Sequence, residues 1–215
     1  MVKKVLMLIG DFVDDYELMV PICTLTMFGV ETYAICPGKS RGDYIKTVAH
    51  YISESDMELA MKGKPVNFSE TLAHPYRITH NFNWDDLEDQ AEKFDGLILP
   101  GGRAPEYLAS VPEVQKIVAH FIKTDKPIAA ICHGPHILTE TDASLSDVQF
   151  LKGKKMVAYP SIVLEAKLLG ASIDEELTAD GVEVDGNLVT ATSWLALPGF
   201  MKEFLRLLKL TSLPD

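Results

Sequence analysis

Hydrophobic and polar residues alternate along the chain in strand-like and helix-like patterns. The run KKVLMLIG, which ends at Gly10, is short, apolar and rich in β-forming residues. It is followed by DDYELMVPICTLTMFG, which has helical spacing and acidic residues in its first turn. Pro21 lies inside that pattern, and we expect it to kink or shorten the helix. The next apolar segment, VETYAICP, predicts a second strand.

The pattern is lost in residues 38–93, where only short pieces such as YRITHNF resemble strands. The elements predicted after this segment are the strand FDGLILPGG, the helix PEYLASVPEVQKIVAHFIKTD, the strand PIAAIC, the helix PHILTETD, the strand KKMVAYP, the helix SIVLEAKLLG, the hairpin VEVDGNLVTATS and the helix PGFMKEFLRLLKL. Strands that alternate with helices favour an α/β fold with a mostly parallel sheet and helices on both faces. The Asp185-Gly186 turn predicts a small antiparallel hairpin attached to that sheet.

Composition and charge limit the domain organisation and the partners. The 215 residues, of which 47% are hydrophobic, are enough for one well-cored domain and few for two, so we expect a single domain over residues 1–215. A net charge of -11 disfavours binding to nucleic acid and to anionic membrane surfaces. No segment approaches the roughly 20 apolar residues of a membrane helix, and Asp11 interrupts the short apolar run at the N-terminus. These features predict a cytoplasmic protein.

The cysteine content argues against a disulfide framework and a metal site. Only Cys23, Cys36 and Cys132 are present, which is an odd number, and none of them forms a CxxC motif. The histidines form no cluster with metal-ligand spacing. We therefore predict neither a metal nor another cofactor.

Three predicted strands end in stretches that can carry chemistry. In a parallel α/β sheet, functional groups gather beyond the carboxyl ends of the strands. The strand PIAAI leads directly into Cys132, at the apex of a sharp turn into a helix. A helix N-terminus lowers the pKa of a thiol and favours the nucleophilic thiolate. Free cysteine is also common as a small buried residue, and its position alone does not separate these two interpretations.

Two neighbouring strand ends strengthen the interpretation of Cys132 as a nucleophile. Gly101 and Gly102 follow their strand directly, which allows backbone N–H groups to point at an oxyanion, although a glycine pair is also an ordinary turn. Glu17 lies in the first predicted helix, where an inward-facing carboxyl would meet the cysteine. Its alternative role is that of a solvated acid in a run of acids. A carboxyl beside a thiolate is expected to keep its proton.

These stretches together resemble the ThiJ/PfpI family, a branch of the class I glutamine amidotransferase-like superfamily. The resemblance rests on GGRAPEYL followed by KPIAAICHGPHIL, with DDYELMVP upstream and EVDGNLVTATS downstream. CPGK, HNF and GGRAPEYL are most similar to the plant-type members that are associated with glyoxalase activity, and GGRAPE is also found in PfpI-type peptidases. The resemblance covers nearly the whole chain except the middle of residues 38–93, which we interpret as a family-variable insertion.

The resemblance implies a flavodoxin-like sandwich, a homo-oligomer and a set of site residues. The nucleophile corresponds to Cys132 and the adjacent carboxyl to Glu17. In PfpI-type peptidases the glutamate that matches Glu106 reaches, across a subunit contact, the histidine that matches His133. Further residues expected to bind the oxyanion or the substrate are Gly101, Gly102, Gly134, Trp194 and His80.

The chain departs from its relatives in two places. Glutamine amidotransferases take their triad histidine from the C-terminal third, but no histidine follows His136 here, so glutamine hydrolysis is disfavoured. The plant-type members commonly carry a histidine before a proline where this chain has Leu197, which weakens the transfer of their activity. His133 is then the histidine expected to take part in proton transfer or to donate its backbone N–H. The other histidines are expected to be surface or packing residues, with His80 a partial exception on the resemblance: His50, His74, His80, His120 and His136.

Three functions remain open at this stage. The preferred one is a glyoxalase-like or deglycase-like enzyme in which Cys132 attacks a small 2-oxoaldehyde such as methylglyoxal and Glu17 moves the proton between carbons. The N–H groups of Gly102 and His133 would hold the oxyanion. The first alternative is a cysteine peptidase that uses Cys132, His133 and Glu106. The second is a non-catalytic redox sensor or chaperone in which Cys132 is oxidised reversibly.

Overall fold

A six-stranded sheet lies at the centre of the molecule, which the computed structural model describes for residues 2–66, 69–144, 149–174, 176–210 and 212. The strands of the chain are β1 (Lys4–Leu8), β2 (Val13–Asp14), β3 (Glu31–Ile35), β4 (Tyr44–Ile45), β5 (Thr47–Tyr51), β6 (Ser69–Leu72), β7 (Tyr76–Arg77), β8 (Gly96–Leu99), β9 (Ile128–Ile131), β10 (Val182–Asp185) and β11 (Leu188–Ala191). The order across the central sheet is β10-β11-β9-β8-β1-β3. All neighbours are parallel except β10 and β11, which form the predicted antiparallel hairpin.

Helices cover this sheet on both faces, which confirms the predicted flavodoxin-like sandwich. The helices are α1 (Asp15–Met27), α2 (Glu54–Met61), α3 (Leu87–Glu92), α4 (Pro105–Leu108), α5 (Pro112–Lys123), α6 (Pro135–Ser144), α7 (Pro160–Leu168) and α8 (Leu197–Leu207). Helices α1 and α8 pack against each other, and α8 also contacts the hairpin. Helices α3, α5, α6 and α7 pack in succession as the other layer.

Strands β8 and β9 of the central sheet are buried along their whole length. All four residues of β8 and all four of β9 are buried, and these strands read GLIL and IAAI. Continuous apolar runs are typical of parallel strands that are covered on both faces. Their carboxyl ends lie side by side, so the residues that follow Leu99 and Ile131 are brought together.

Prolines divide the helices differently from the prediction. The segment predicted as one helix after β8 forms two helices, α4 and α5, because Pro112 restricts the residue before it to extended conformations. Val111 accordingly has a ψ of 117° and interrupts the helical backbone. Pro21 does not shorten α1, which continues to Met27 with Pro21 buried on its inner side.

The segment KKMVAYP, which was predicted as a strand, forms only an isolated bridge between Lys155 and Ser172. Strand β11 already pairs with β9 on one side and with β10 on the other, so the hairpin takes the place that this strand would need in the sheet. The N–H of Val157 donates instead to the side-chain oxygen of Thr190, at 2.9 Å. The prediction failed because β propensity does not reveal competition for a sheet position.

Residues 38–93 form small sheets beside the central one. Strands β2, β5 and β6 form one of them, and β4 and β7 form another. Strand β2 directly precedes α1 and pairs with β5, which carries His50. This pairing brings the segment with the weakest sequence pattern to the carboxyl edge of the central sheet.

Candidate active site

Cys132 lies at the apex of the sharp turn between β9 and α6. Its φ of 59° is in the left-handed region, which costs a non-glycine residue on the order of 1–3 kcal/mol. Two backbone hydrogen bonds hold this conformation: the N–H of Cys132 donates to the carbonyl of Ala191 at 2.9 Å, and the N–H of Tyr159 donates to the carbonyl of Cys132 at 3.1 Å. The predicted strand-to-helix elbow is therefore present, with the thiol half-buried at its tip.

A cavity of about 450 Å³ opens above this cysteine. It contains most of the predicted site residues together with several that the sequence did not single out. Its lining residues are Asp14, Glu17, His50, Ile52, Met57, Arg103, Glu106, Cys132, His133, His136, Tyr159, Ser161, Ile162, Glu165, Ser193 and Trp194.

Glu17 is fully buried in this cavity, not solvated as its alternative interpretation required. Its Oε2 accepts the N–H of Gly101 at 2.7 Å. Its Oε1 is buried without a hydrogen-bond partner of good geometry among the residues that the structure describes, and the carboxyl lies within reach of the Cys132 thiol. Burial raises the pKa of Glu17 well above its usual value, and the negative charge of Asp14 raises it further. Glu17 therefore keeps a proton beside the thiol, as predicted.

The groups around Cys132 shift the pKa of its thiol in opposite directions. Burial raises the pKa of the thiol well above its usual value, and the charges of Glu17 and Asp14 raise it further. The backbone N–H groups of His133 and Gly102 point at the sulfur and lower its pKa, although they do not outweigh burial. Because like charges repel at close range, Cys132 and Glu17 hold one negative charge more easily than two. The thiolate therefore forms when Glu17 is protonated.

The glycines predicted to bind the oxyanion have different roles. The N–H of Gly101 is used by Glu17, and a side chain at Gly101 would lie 2.8 Å from Cβ of Cys132. The N–H of Gly134 donates to the carbonyl of Ile131 at 2.7 Å, so it is not available to an oxyanion. Gly102 has a φ of +77°, and its N–H faces the sulfur. The donors left for an oxyanion are those of Gly102 and His133.

Gly134 is expected to be required for the elbow itself. A Cβ at this position would overlap the carbonyl oxygen of Leu99, which is backbone and cannot move aside. We expect Gly134→Ala to lower the free energy of unfolding by about 1–3 kcal/mol, as overpacking does, when measured by chemical denaturation. Gly199→Ala is the control, because Gly199, like Gly134, has no positive φ, and a Cβ there would meet only the side chain of Val182, at 3.1 Å. A Gly134→Ala protein as stable as the wild type would contradict this role.

The ring of His133 is next to the thiol and neutral. Its Nδ1 lies 3.3 Å from Sγ of Cys132, and the ring stacks on Tyr159 at a centroid distance of 4.6 Å. Burial lowers the pKa of His133 to about 4, with the positive charge of Arg103 as a further cause. At neutral pH the ring is therefore uncharged, and it can take part in hydrogen bonds without carrying an additional proton.

Glu106 lies at the rim of the same cavity as His133 of its own chain. Its Oε1 accepts a hydrogen bond from Arg103 at 2.9 Å, and its side chain is 53% exposed. The contact with His133 across subunits stays a prediction, because the structure contains one chain.

The structure brings Trp194 into the site and leaves His80 outside it. Trp194 lines the cavity and stacks on Tyr16 at a centroid distance of 5.7 Å. His80 stacks on Tyr33 of the edge strand β3 at 3.9 Å and is not among the residues that line the cavity. The expectation that His80 binds substrate is therefore not supported by its position. Leu197, at the site of the histidine in plant-type relatives, is buried at the start of α8.

Three residues that line the cavity were not among the site residues predicted from the sequence. His50 contacts the side chain of Asp14, with 2.6 Å between Nδ1 and Oδ2. His136 contacts Glu165, with 2.7 Å between Nδ1 and Oε2. Tyr159 lies within the segment KKMVAYP, which was predicted as a strand, and its ring stacks on His133. The only sequence signal for His50 was a histidine in a segment without periodicity.

Within the described ranges, no group of three or more His, Cys, Asp and Glu side chains is arranged to hold a metal ion. None of the described helices is long and apolar enough to cross a membrane.

Comparisons with known proteins agree with this fold. DJ-1 homolog D of Arabidopsis thaliana is 36% identical over 206 residues, which cover 96% of this chain and 48% of that protein. A deglycase of Thermococcus kodakarensis is 31% identical and is covered over 99% of its length by 96% of this chain. The structure of Schizosaccharomyces pombe DJ-1 has a TM-score of 0.68 over 97% of this chain and 92% of that chain, at 19% identity, which is a likeness of fold.

The family assignment rests on the whole length of the chain. The chain spans about half the length of the Arabidopsis relatives that it matches. The model of the DJ-1/PfpI family matches residues 3–207. The chain therefore belongs to the DJ-1/PfpI family.

Proposed function

We propose that this chain is a cysteine-dependent enzyme that acts on small reactive carbonyls and converts methylglyoxal to lactate without glutathione or a metal. The observation that carries the proposal is the pairing of Cys132 at a strained elbow with the buried carboxyl of Glu17. Relatives of this chain are named deglycases, which is consistent with carbonyl chemistry in general. The specific substrate is part of the proposal.

The first step is addition of the sulfur to the aldehyde carbon. The S–C bond forms as the carbonyl π bond breaks, and the alkoxide takes the proton of Glu17, which gives a hemithioacetal and a Glu17 carboxylate. The N–H groups of Gly102 and His133 stabilise the negative charge while it is on oxygen. The net charge of the site is the same before and after this step.

The second step moves hydrogen between neighbouring carbons. The Glu17 carboxylate removes the proton from the former aldehyde carbon while the hydroxyl proton passes to the neighbouring ketone oxygen, which gives an enediolate, and Glu17 then returns its proton to the adjacent carbon. The product is a thioester between Cys132 and lactate, and water hydrolyses it to free lactate and thiol. A buried carboxyl with a raised pKa suits this role, because it holds the proton firmly at neutral pH and is a strong base once the proton has gone.

The test compares three activities of one purified protein. We expect loss of methylglyoxal and formation of lactate in the absence of glutathione, with no hydrolysis of casein. Casein hydrolysis without carbonyl turnover would favour the peptidase. A reversible mass increase on Cys132 with peroxide, without either turnover, would favour the redox sensor. The predicted cytoplasmic location and homo-oligomeric state remain predictions.

A further inference from the structure

His50 connects residues 38–93 to the first helix of the active site. Its Nδ1 lies 2.6 Å from Oδ2 of Asp14, and its Nε2 lies 3.1 Å from Oε2 of Glu70 on β6. Asp14 is 2% exposed and is the N-cap of α1. The other oxygen of Asp14 accepts the N–H of Tyr16 at 3.0 Å and that of Glu17 at 3.1 Å. A single carboxylate thus joins the His50 ring to the backbone that carries Glu17.

The charge of Asp14 acts directly on the two reacting groups. It raises the pKa of Glu17 and the pKa of Cys132, in each case in addition to burial. A positive charge on His50 at 2.6 Å offsets this effect, because it pairs with the carboxylate in a partly buried site. The titratable and charged groups around His50 include Asp14 and Glu70, which contact its ring. Arg103 lies beyond Glu70, to which it donates a hydrogen bond, and the charge of His50 lowers the pKa of His133.

Protonation of His50 is favoured by these surroundings. Burial lowers the pKa of His50, but the hydrogen bonds and charges of Asp14 and Glu70 outweigh it, and the net shift is upward. His50 therefore keeps its positive charge to a higher pH than an ordinary histidine. Once the pH rises above its pKa, the charge of Asp14 is no longer offset.

We propose that His50 is a positioning residue of this active site, which holds and neutralises Asp14 so that Cys132 can ionise beside Glu17. The inference rests on the proposed function for its catalytic meaning. The reaction of Cys132 with iodoacetamide reports it independently, since alkylation requires the thiolate and no carbonyl turnover.

The test is the pH dependence of alkylation of Cys132, followed by mass spectrometry of the Cys132 peptide. In His50→Gln the charge of Asp14 is not offset, so we expect the pH midpoint to rise by about one unit and alkylation at neutral pH to slow about tenfold. His50→Lys keeps a positive charge and is expected to restore most of the rate. His120→Gln is the matched control, because His120 pairs with Glu92 on the surface away from the cavity. It should react as the wild type does.

A midpoint in His50→Gln equal to that of the wild type would overturn the proposal. Equal slowing in His50→Gln and His50→Lys would also overturn it, because that result indicates a purely structural contact. If His50→Gln does not fold, NMR titration of the His50 ring in the wild type and in Cys132→Ser measures the same coupling in reverse. Removing the thiolate of Cys132 should then lower the pKa of His50, and an unchanged value would contradict the proposal. If alkylation of Cys132 changes as expected in the His50 variants but the protein does not convert methylglyoxal, only the proposed function is rejected.

Discussion

Replacing Cys132 by serine is expected to lower kcat/KM for methylglyoxal by on the order of 10³-fold or more. A serine hydroxyl at the same elbow is far less acidic than a thiol, and Glu17 beside it keeps its own proton at neutral pH and therefore does not take the proton of the hydroxyl. The ring of His133 has its pKa lowered to about 4 by burial and by the charge of Arg103, so it is a weak base. The variant should fold normally, because serine keeps the size and the backbone contacts of residue 132.

The other two cysteines supply matched controls for this prediction. Cys23 is exposed on α1, and Cys36 is buried after β3 with its sulfur 3.5 Å from the carbonyl of Pro37. Burial raises the pKa of Cys36 to about 11, so its thiolate is scarce at neutral pH. Cys23→Ser and Cys36→Ser should turn over methylglyoxal at close to the wild-type rate. Full turnover by Cys132→Ser would reject the nucleophile and the mechanism with it.

Much of the fold was predictable because the central strands are buried on both faces. Such strands are short and apolar, and the helices between them have regular spacing, so the order of elements can be read along the chain. The turn at Asp185-Gly186 also identified the hairpin. The strand predicted in KKMVAYP was wrong because β10 fills the only free side of β11. Which segment pairs with β11 depends on competition between parts of the chain that are distant in sequence, and the local sequence pattern gives no information about it.

Only the site residues that come after the ends of the central strands could be predicted from the sequence. Cys132, Gly102 and Glu17 come directly after β9, after β8 and early in α1, and parallel strands bring these places together. His50 lies in a segment without periodicity, and its position depends on the pairing of β5 with β2. Motif resemblance placed His80 in the site because it considers neighbours in sequence, whereas the structure stacks this ring on Tyr33. The positions of site residues in irregular segments therefore cannot be inferred from the sequence pattern and require the three-dimensional structure.

Replacing Glu17 by glutamine is expected to lower methylglyoxal turnover by about 10²- to 10⁴-fold, the usual effect of losing a positioned acid–base group. Glutamine keeps the shape of the side chain, and its carbonyl oxygen can still accept the N–H of Gly101. It cannot take a proton from carbon, so the enediolate does not form. Turnover is measured as lactate formed without glutathione. Asp15→Asn is the control, because Asp15 lies in the same helical turn and accepts a hydrogen bond from Thr47 outside the cavity.

The same variant should leave the nucleophile reactive, which separates loss of the proton shuttle from loss of the thiolate. The charge of Glu17 raises the pKa of Cys132, so Glu17→Gln removes this contribution and lowers that pKa. Alkylation of Cys132 by iodoacetamide at neutral pH should therefore be at least as fast as in the wild type. In a peptidase, Glu17 would only tune the thiol, and Glu17→Gln would retain most of the casein hydrolysis. Near-native methylglyoxal turnover in Glu17→Gln would show that another group moves the proton, and the mechanism proposed for this site would then be wrong.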